Sequence, residues 1–157
     1  MQVHESSLEL ARQFLDYYHP LGAGGSLKGQ REMLAGYENE LPVFLAVFVT
    51  PRSRWHNYDV RLELSRLAWT PYAKRSASTF LRQCIRILRR QYDGLIVTYA
   101  LPGTDGIVYK RAGFYHSGSS SGASWSRRGA DSGERPTPDT IGTGHQLKRF
   151  FASLDRP

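Results

Sequence analysis

The sequence predicts a single α/β domain over residues 1–157, with a mixed central sheet and helices on both of its faces. Apolar runs of strand length alternate along the chain with segments whose apolar residues recur at helical spacing. One run, residues 43–49, is apolar on both faces and therefore predicts a covered central strand. A later run changes its apolar parity midway, which predicts central strands that splay apart around a cleft.

The N-terminal part predicts a helix and then a hairpin. Apolar residues at helical spacing favour a helix over residues 6–18, which Ser6 or Ser7 can cap. A loop with four glycines follows the helix. The hairpin comes next, with its arms at residues 31–37 and 41–49.

Residues 60–69 form a predicted strand with an irregularity. Its apolar residues occupy even positions up to Leu64 and odd positions from Leu67 onward. The switch falls at Ser65 and Arg66, two adjacent polar residues. One extra residue there, a β-bulge, would reset the parity and leave backbone groups unpaired. A plain strand end followed by a turn is the alternative.

The second half predicts a basic helix, a buried strand and a short helix. Small and basic residues at 70–78 lead into a helix that ends near Arg90, with apolar residues on one face and arginines on the other. Residues 95–100 form an apolar run typical of a buried strand. Thr104 can cap a last short helix that stops at Gly113.

The C-terminal part predicts a strand, an arm and an amphipathic end. The last strand starts at residues 114–116, and residues 117–145 are rich in Ser, Gly and Pro, which predicts an arm or long loop within the domain. Residues 146–154 form a final amphipathic segment. Among the aromatic residues, Trp69 is expected in the core.

The net charge and the amino-acid composition limit the kinds of function that fit this chain. The net charge of +7 favours contact with polyanions such as DNA, RNA or phosphorylated cofactors, and a soluble protein with many arginines is the alternative. The single cysteine, Cys84, excludes an internal disulfide framework. The sequence has no stretch of membrane-span length and no signal-peptide pattern, so we expect no membrane contact and a cytoplasmic location.

The loop before the basic helix is a candidate phosphate site. Ser76, Ala77 and Ser78 are small enough for a phosphate to approach their backbone N–H groups, and the start of a helix favours anions. Lys74 and Arg75 add positive charge. A solvated basic turn that ends in a serine cap is the alternative.

Other polar residues are candidates for proton transfer. Tyr109, on the predicted last helix, would face the cleft and donate a proton to a departing thiolate, unless it only packs in the core. His19, His56 and Tyr58 lie in or beside loops and could line an acceptor pocket. A histidine there would act as a base or a metal ligand, although no histidine pair has the close spacing of a metal site.

Several of these segments resemble known protein families. The loop at residues 74–78, the helix behind it and the segment with Tyr109, Gly113 and Phe114 resemble the second half of the GNAT acetyltransferase fold. More narrowly, the chain resembles the phage Mom proteins, which are GNAT-like enzymes that modify adenine in DNA. Four segments carry this likeness: residues 62–67, 76–81, 96–100 and 106–114.

The resemblance to Mom implies a function. It implies an acyl-CoA-dependent enzyme that places an acetamido-type group on the exocyclic amine of adenine in phage or prophage DNA, which blocks restriction in the bacterial host. Acetyl-CoA or another acyl-CoA is the implied cofactor, DNA is the implied substrate, and iron is an implied participant. A GNAT enzyme acting on a small-molecule or protein amine and a non-catalytic DNA-binding module are the alternatives.

The same resemblance implies roles for individual residues. Backbone amides at residues 75–78 would hold the pyrophosphate of CoA. The strand end at Leu67 and Ala68 would line the pantetheine arm. Tyr109 would serve the thiolate, and Ser65 and Arg66 would lie near the acetyl carbonyl.

The chain departs from the Mom pattern at Pro20, at Leu101 and at Thr104 with Asp105. The pattern places a carboxylate after the strand at residues 96–100, and Asp105 is the candidate to replace it. Basic and aromatic residues near the C-terminus are the predicted DNA contacts, because a base taken out of a duplex stacks on aromatic rings. These predicted contacts are Trp125, Arg127, Arg128, Lys148 and Arg149.

Overall fold

The computed structural model describes residues 1–51, 59–100, 104–120 and 147–155. Within these ranges the chain forms seven strands, three α-helices and one 3₁₀ turn. The elements in chain order are β1 (Gln2–Glu5), α1 (Leu8–Tyr18), the 3₁₀ turn (Gly24–Leu27), β2 (Gln30–Glu38), β3 (Leu41–Val49), β4 (Val60–Trp69), α2 (Ala77–Leu88), β5 (Leu95–Ala100), α3 (Ile107–Ala112), β6 (Tyr115–Ser120) and β7 (Leu147–Ser153).

All seven strands belong to one mixed sheet in the order β1-β2-β3-β4-β5-β7-β6. Only β4 and β5 are parallel to each other among these neighbours, and every other pair is antiparallel. The helix α2 makes the crossover that a parallel pair requires. The predicted α/β class with a mixed central sheet is therefore confirmed.

Helices cover both faces of this sheet, as predicted. On one face α1 packs through Phe14 and Leu15 against a cluster that includes Leu45 and Val47. On the other face α2 and α3 cover a larger cluster, to which β3 contributes Phe44 and Phe48. Alternate residues of β3 thus enter opposite clusters, which explains why this strand reads as apolar throughout.

The predicted bulge lies in β4. Val47 of β3 pairs with Arg66, but the next residue, Phe48, pairs with Leu64, so Ser65 is the extra residue. As a result Leu64 and Leu67 both enter the cluster beneath α2. The parity change in the sequence is confirmed as a bulge rather than a strand end.

Two strands were not predicted. β1 is a short and mostly exposed edge strand, so it carries little apolar signal. β7 lies within the segment predicted as an amphipathic end, and it inserts between β5 and β6. The prediction of an arm from residue 117 is wrong for its first residues, because residues 117–120 belong to β6. The remainder of that arm, residues 121–145, lies outside the described residues.

Two smaller predictions are also wrong. Trp69 is not a core residue, since 46% of it is exposed at the end of β4. Thr104 does not cap α3; the residue at the cap position is Gly106, and the carboxylate of Asp105 accepts the backbone N–H of Ile107 at 2.9 Å. Among the described residues, no helix has the length and apolar character needed to cross a membrane.

Candidate active site

A gap opens in the sheet where β4 and β5 part. The parallel pairing starts at Val60 with Leu95 and ends at Leu64 with Thr98. Beyond this last pair, β4 continues to Trp69 and pairs only with β3, whereas the end of β5 pairs with β7. The bulge residue Ser65 directly follows the last pair. The bulge therefore marks the apex of a wedge between the two strands, as the sequence predicted.

A chain of hydrogen bonds places a tyrosine at this apex. Thr98 is buried, and its hydroxyl donates to the backbone carbonyl of Leu64 at 3.0 Å. The side chain of Tyr109 on α3 forms a hydrogen bond with Thr98.

The surroundings keep Tyr109 protonated. Burial raises the pKa of the Tyr109 phenol, and the hydrogen bond with Thr98 offsets only part of this rise. The ring lies against Phe114 and Phe150, with centroid distances of 5.9 and 5.5 Å. The phenol of Tyr109 is thus neutral, and its ring is held by packing at the apex of the gap.

Glycines at both ends of α3 fix the position of Tyr109. Gly106 has φ of 69° and Gly113 has φ of 98°, a region that favours glycine. At Gly106 a side chain would also overlap the ring of Phe150. Asp105, a predicted catalytic residue, is exposed, and its carboxylate bonds the start of α3.

The start of α2 supplies free backbone donors beside the gap. Ser76 caps the helix, and its hydroxyl accepts the N–H of Thr79 at 3.2 Å. Within the described part of the chain, the N–H groups of Ser76, Ala77 and Ser78 have no acceptor. They lie at the start of a helix of 12 residues, where the helix dipole favours an anion.

The amides just before this helix have a different partner. The N–H of Lys74 donates to Glu38 Oε2 at 2.8 Å, and the N–H of Arg75 donates to Glu38 Oε1 at 3.0 Å. Of the four amides predicted to hold pyrophosphate, the one of Arg75 is therefore already occupied. Both basic side chains are exposed.

On the other face of the sheet, His19 and Arg66 lie near the bulge. The Nδ1 atom of His19 accepts the N–H of Leu21 at 3.1 Å. Burial, together with the charge of Arg66, lowers the pKa of His19 to about 4. Neutral His19 therefore carries its proton on Nε2, which makes it a donor at neutral pH rather than a base.

The side chains at the bulge are engaged within the protein. Ser65 donates its hydroxyl to the carbonyl of Val47 at 3.2 Å. Arg66 donates to the carbonyls of Ser65 and Gly22 at 2.8 and 3.3 Å. Further along the strand, Leu67 and Ala68 are buried on opposite faces of the sheet, at the edge of the gap.

Solved structures share this architecture, although no protein-family model and no curated protein matches the sequence. A Bacillus subtilis acetyltransferase in complex with CoA is 12% identical, covers 97% of this chain and 96% of its own, and has a TM-score of 0.64. A GNAT family acetyltransferase from Elizabethkingia anophelis with acetyl-CoA bound is 11% identical, covers 97% of both chains, and has a TM-score of 0.66.

The ribosomal-protein-S18-alanine N-acetyltransferase from Escherichia coli also matches. It is 11% identical, covers 99% of this chain and 95% of its own, and has a TM-score of 0.65. The chain has the GNAT acetyltransferase fold. This confirms the fold predicted from the resemblance, including the wedge between its central strands.

Within this GNAT fold, the predicted site residues divide into two groups. Tyr109 and the amides of residues 76–78 belong to the face that α2 and α3 cover, whereas His19 comes from the end of α1 on the opposite face. Of the predicted DNA contacts, Lys148 is exposed on β7. Arg149 bonds the carbonyl of Ser117 at 2.7 Å and lies over the ring of Phe151.

The remaining predicted residues lie outside the described residues: Tyr58, His56, Leu101, Trp125, Arg127 and Arg128. In the ranges that the structure describes, no three His, Cys, Asp or Glu side chains come together as metal ligands. These ranges therefore contain no set of residues that fits iron.

Two residues of the site were not predicted. The order of strands in the sheet brings both residues to the site. Thr98 bonds the carbonyl of Leu64, 34 residues away in the sequence, and Glu38 bonds the N–H of Lys74, 36 residues away. A threonine in an apolar strand and a glutamate before a hairpin turn are both common, so the sequence has no local signal for them.

Proposed function

We propose that the protein is an acyl-CoA-dependent N-acyltransferase. The observation that carries this proposal is one arrangement on the GNAT fold: a gap between parallel strands, with unpaired amides at one end and a protonated tyrosine at its apex. Two of the similar structures contain CoA or acetyl-CoA, which supports the same cofactor class here.

The residues beside the gap fit such a cofactor. The amides of Ser76, Ala77 and Ser78 would hold the pyrophosphate, because consecutive N–H groups at a helix start bind phosphate oxygens. The open edge of β4 at Leu67 and Ala68 would flank the pantetheine arm. When bound, acyl-CoA would supply the acyl group for transfer to an amine.

Tyr109 would supply the proton that the transfer requires. Its hydroxyl keeps its proton at neutral pH, because burial raises its pKa. A sulfur leaving the acyl group at the apex needs a proton, and a positioned phenol can donate it. Thr98, which is held by its own bond to the carbonyl of Leu64, would orient the phenol.

For the acceptor we propose adenine in DNA, as in the Mom proteins. Besides the sequence resemblance, a row of exposed cations supports this choice: Arg82 and Arg86 on α2 and Arg90 just beyond its end recur every four residues. The helix contains no acidic residue, and these arginines form no ion pair within the described ranges. Such a row of cations would contact phosphates and position a duplex without reading its sequence.

A protein or small-molecule amine is the second candidate acceptor. It is supported by the similarity to the Escherichia coli protein, whose name states that it acetylates an alanine of a ribosomal protein. An enzyme of this kind would bind acetyl-CoA but show no affinity for DNA at moderate salt. A non-catalytic DNA-binding protein would show the reverse.

Mass spectrometry of nucleosides tests the proposal directly. DNA from bacteria that express the protein should yield an adenosine derivative of increased mass, and DNA from cells that express Tyr109→Phe should yield far less of it. If the mass increase of this derivative differs from that of an acetyl group, its value would identify the transferred group. Unmodified adenine alongside acyl-CoA turnover on a protein or a small amine would instead favour the second candidate.

A further inference from the structure

The loop that precedes α2 is bound by a single carboxylate. Both oxygens of Glu38 accept backbone N–H groups, one from Lys74 and one from Arg75, at 2.8 and 3.0 Å. Hydrogen bonds with an ionised acceptor are stronger than neutral ones. Two such bonds to adjacent amides fix the direction of the chain immediately before the three unpaired amides at the start of α2.

Glu38 approaches this loop from the side away from the gap. The gap lies between β4 and β5, whereas Glu38 ends β2, which is two strands from β4 in the opposite direction. The side chains of Glu38, Lys74 and Arg75 line a surface hollow together with Met1 and Tyr37. Glu38 therefore supports the loop from behind and does not occupy the place of a ligand in the gap.

A rigid turn presents this carboxylate. Glu38 and Leu41 form the last residue pair of β2 and β3 before the hairpin turn. Asn39 and Glu40 between them both have positive φ, 50° and 66°, as in the two-residue turns that match the twist of a hairpin. The side chain of Glu38 thus starts from a fixed backbone position.

We propose that Glu38 is a positioning residue for the cofactor: by binding the amides of Lys74 and Arg75, it holds the amides of residues 76–78 in the arrangement that receives pyrophosphate. This inference rests on the proposed acyl-CoA function. It adds that affinity for the phosphate-bearing part of the cofactor depends on a carboxylate that does not itself touch the cofactor.

The test compares Glu38→Gln with Glu40→Gln. Both variants remove one negative charge from the same hairpin turn, but Glu40 is exposed and bonds no described residue. A glutamine at position 38 can accept only one of the two N–H groups, and its amide group would face the other. We expect Glu38→Gln to raise the Kd for acetyl-CoA about tenfold, which corresponds to about 1.4 kcal/mol. Glu40→Gln should leave that Kd unchanged.

Three further readouts separate positioning from general damage. Acetyl-pantetheine lacks the pyrophosphate, so its affinity should be equal in wild type and Glu38→Gln. The kcat at saturating acetyl-CoA should stay near the wild-type value while the KM for acetyl-CoA rises. Amide hydrogen exchange at Lys74 and Arg75 should be faster in Glu38→Gln than in Glu40→Gln.

Distinct outcomes contradict the two proposals. If wild type binds acetyl-CoA and Glu38→Gln binds it equally well or more tightly, the role of Glu38 is wrong and the acyltransferase proposal stands. If wild type binds no acyl-CoA, both proposals are wrong. Glu38→Asp, whose carboxylate is one carbon shorter, should give the same loss of affinity and replaces Glu38→Gln if that variant does not fold.

Discussion

At the scale of single residues, the site depends on where protons are held. The phenol of Tyr109 forms a hydrogen bond with Thr98, and the hydroxyl of Thr98 donates to the carbonyl of Leu64. Across the sheet, His19 accepts an N–H on Nδ1 and holds its proton on Nε2. The tyrosine is thus suited to proton donation at neutral pH, whereas the histidine is not suited to act as a base.

Replacing Tyr109 with phenylalanine tests its role as an acid. Because a positioned general acid contributes on the order of a hundredfold or more, we expect kcat to fall by about that factor. The KM for acyl-CoA should change little, because the amides of α2 remain. Steady-state kinetics with a DNA duplex as acceptor measure both values. A kcat within twofold of wild type would contradict the assignment.

Replacing His19 with asparagine tests its lowered pKa. The pKa of His19 falls from 6.5 to about 4 on folding, so between these pH values the unfolded chain binds more protons than the folded chain. The contribution of neutral His19 to the free energy of unfolding is therefore present in full above pH 6.5 and is lost as the pH falls toward 4. In His19→Asn the side-chain oxygen can still accept the N–H of Leu21 without titrating.

Urea unfolding at a series of pH values from 4 to 8 provides the measurement. The difference in free energy of unfolding between wild type and His19→Asn should be constant above pH 7 and should shift against wild type below pH 6. If the free energies of unfolding of the two proteins instead differ by the same amount at every pH, the pKa of His19 is the same in the folded and unfolded chain and the prediction is wrong.

The sequence predicted one part of the site and not the other. Tyr109 and the small residues at positions 76–78 are visible because their residue types and their places relative to a helix carry the chemistry. Glu38 and Thr98 were missed because their roles arise from the strand order, which the sequence pattern did not specify. Whether the residues predicted for catalysis act as expected stays a prediction.

At the scale of elements, β4 and α3 shape the gap. The bulge at Ser65 ends the pairing of β4 with β5, and α3 then places Tyr109 at the apex. The helix α3 has only six residues, so its position depends on its two glycine ends and on packing against Phe150. Short helices have little stability of their own, and a change at either end should be transmitted to Tyr109.

Replacing Gly106 with alanine tests this dependence, with Gly113→Ala as the matched control. Both glycines have positive φ, so both variants carry backbone strain of about 1 kcal/mol. Only at Gly106 would the new methyl group also overlap Phe150, since nothing lies near the corresponding position at Gly113. Overpacking of this kind costs a further 1–3 kcal/mol, roughly. Equal losses in the free energy of urea unfolding would contradict this account.

The elements themselves were predicted to different degrees. The hairpin, the bulged strand, the basic helix and the buried strand β5 each carry a clear signal, either a periodic pattern or a continuous apolar run, and each is present. β1 is exposed and only four residues long, so it depends on pairing with β2. β7 lies between β5 and β6, but the polar residues Lys148 and Arg149 interrupt its apolar run, so the sequence predicted an amphipathic segment there rather than a strand.

At the scale of the whole molecule, the strand order brings the site together. Thr98 from β5 and Tyr109 from α3 lie at the apex of the gap beside the open edge of β4, and Glu38 from β2 bonds the loop before α2. The net charge of +7, with Lys74 and Arg75 exposed before the start of α2, would attract a phosphorylated cofactor or a nucleic acid. The fold, the gap and the charge therefore support the same class of ligand.

Isothermal titration of the folded protein with acetyl-CoA is the most direct test of this account. We predict saturable heat with one molecule bound per chain, and weaker binding at high salt because phosphate contacts are electrostatic. Free CoA should bind as well, since on this account the amides at the start of α2 would contact its pyrophosphate rather than the acyl group. The absence of saturable heat with acetyl-CoA, with other acyl-CoA thioesters and with CoA would contradict the account.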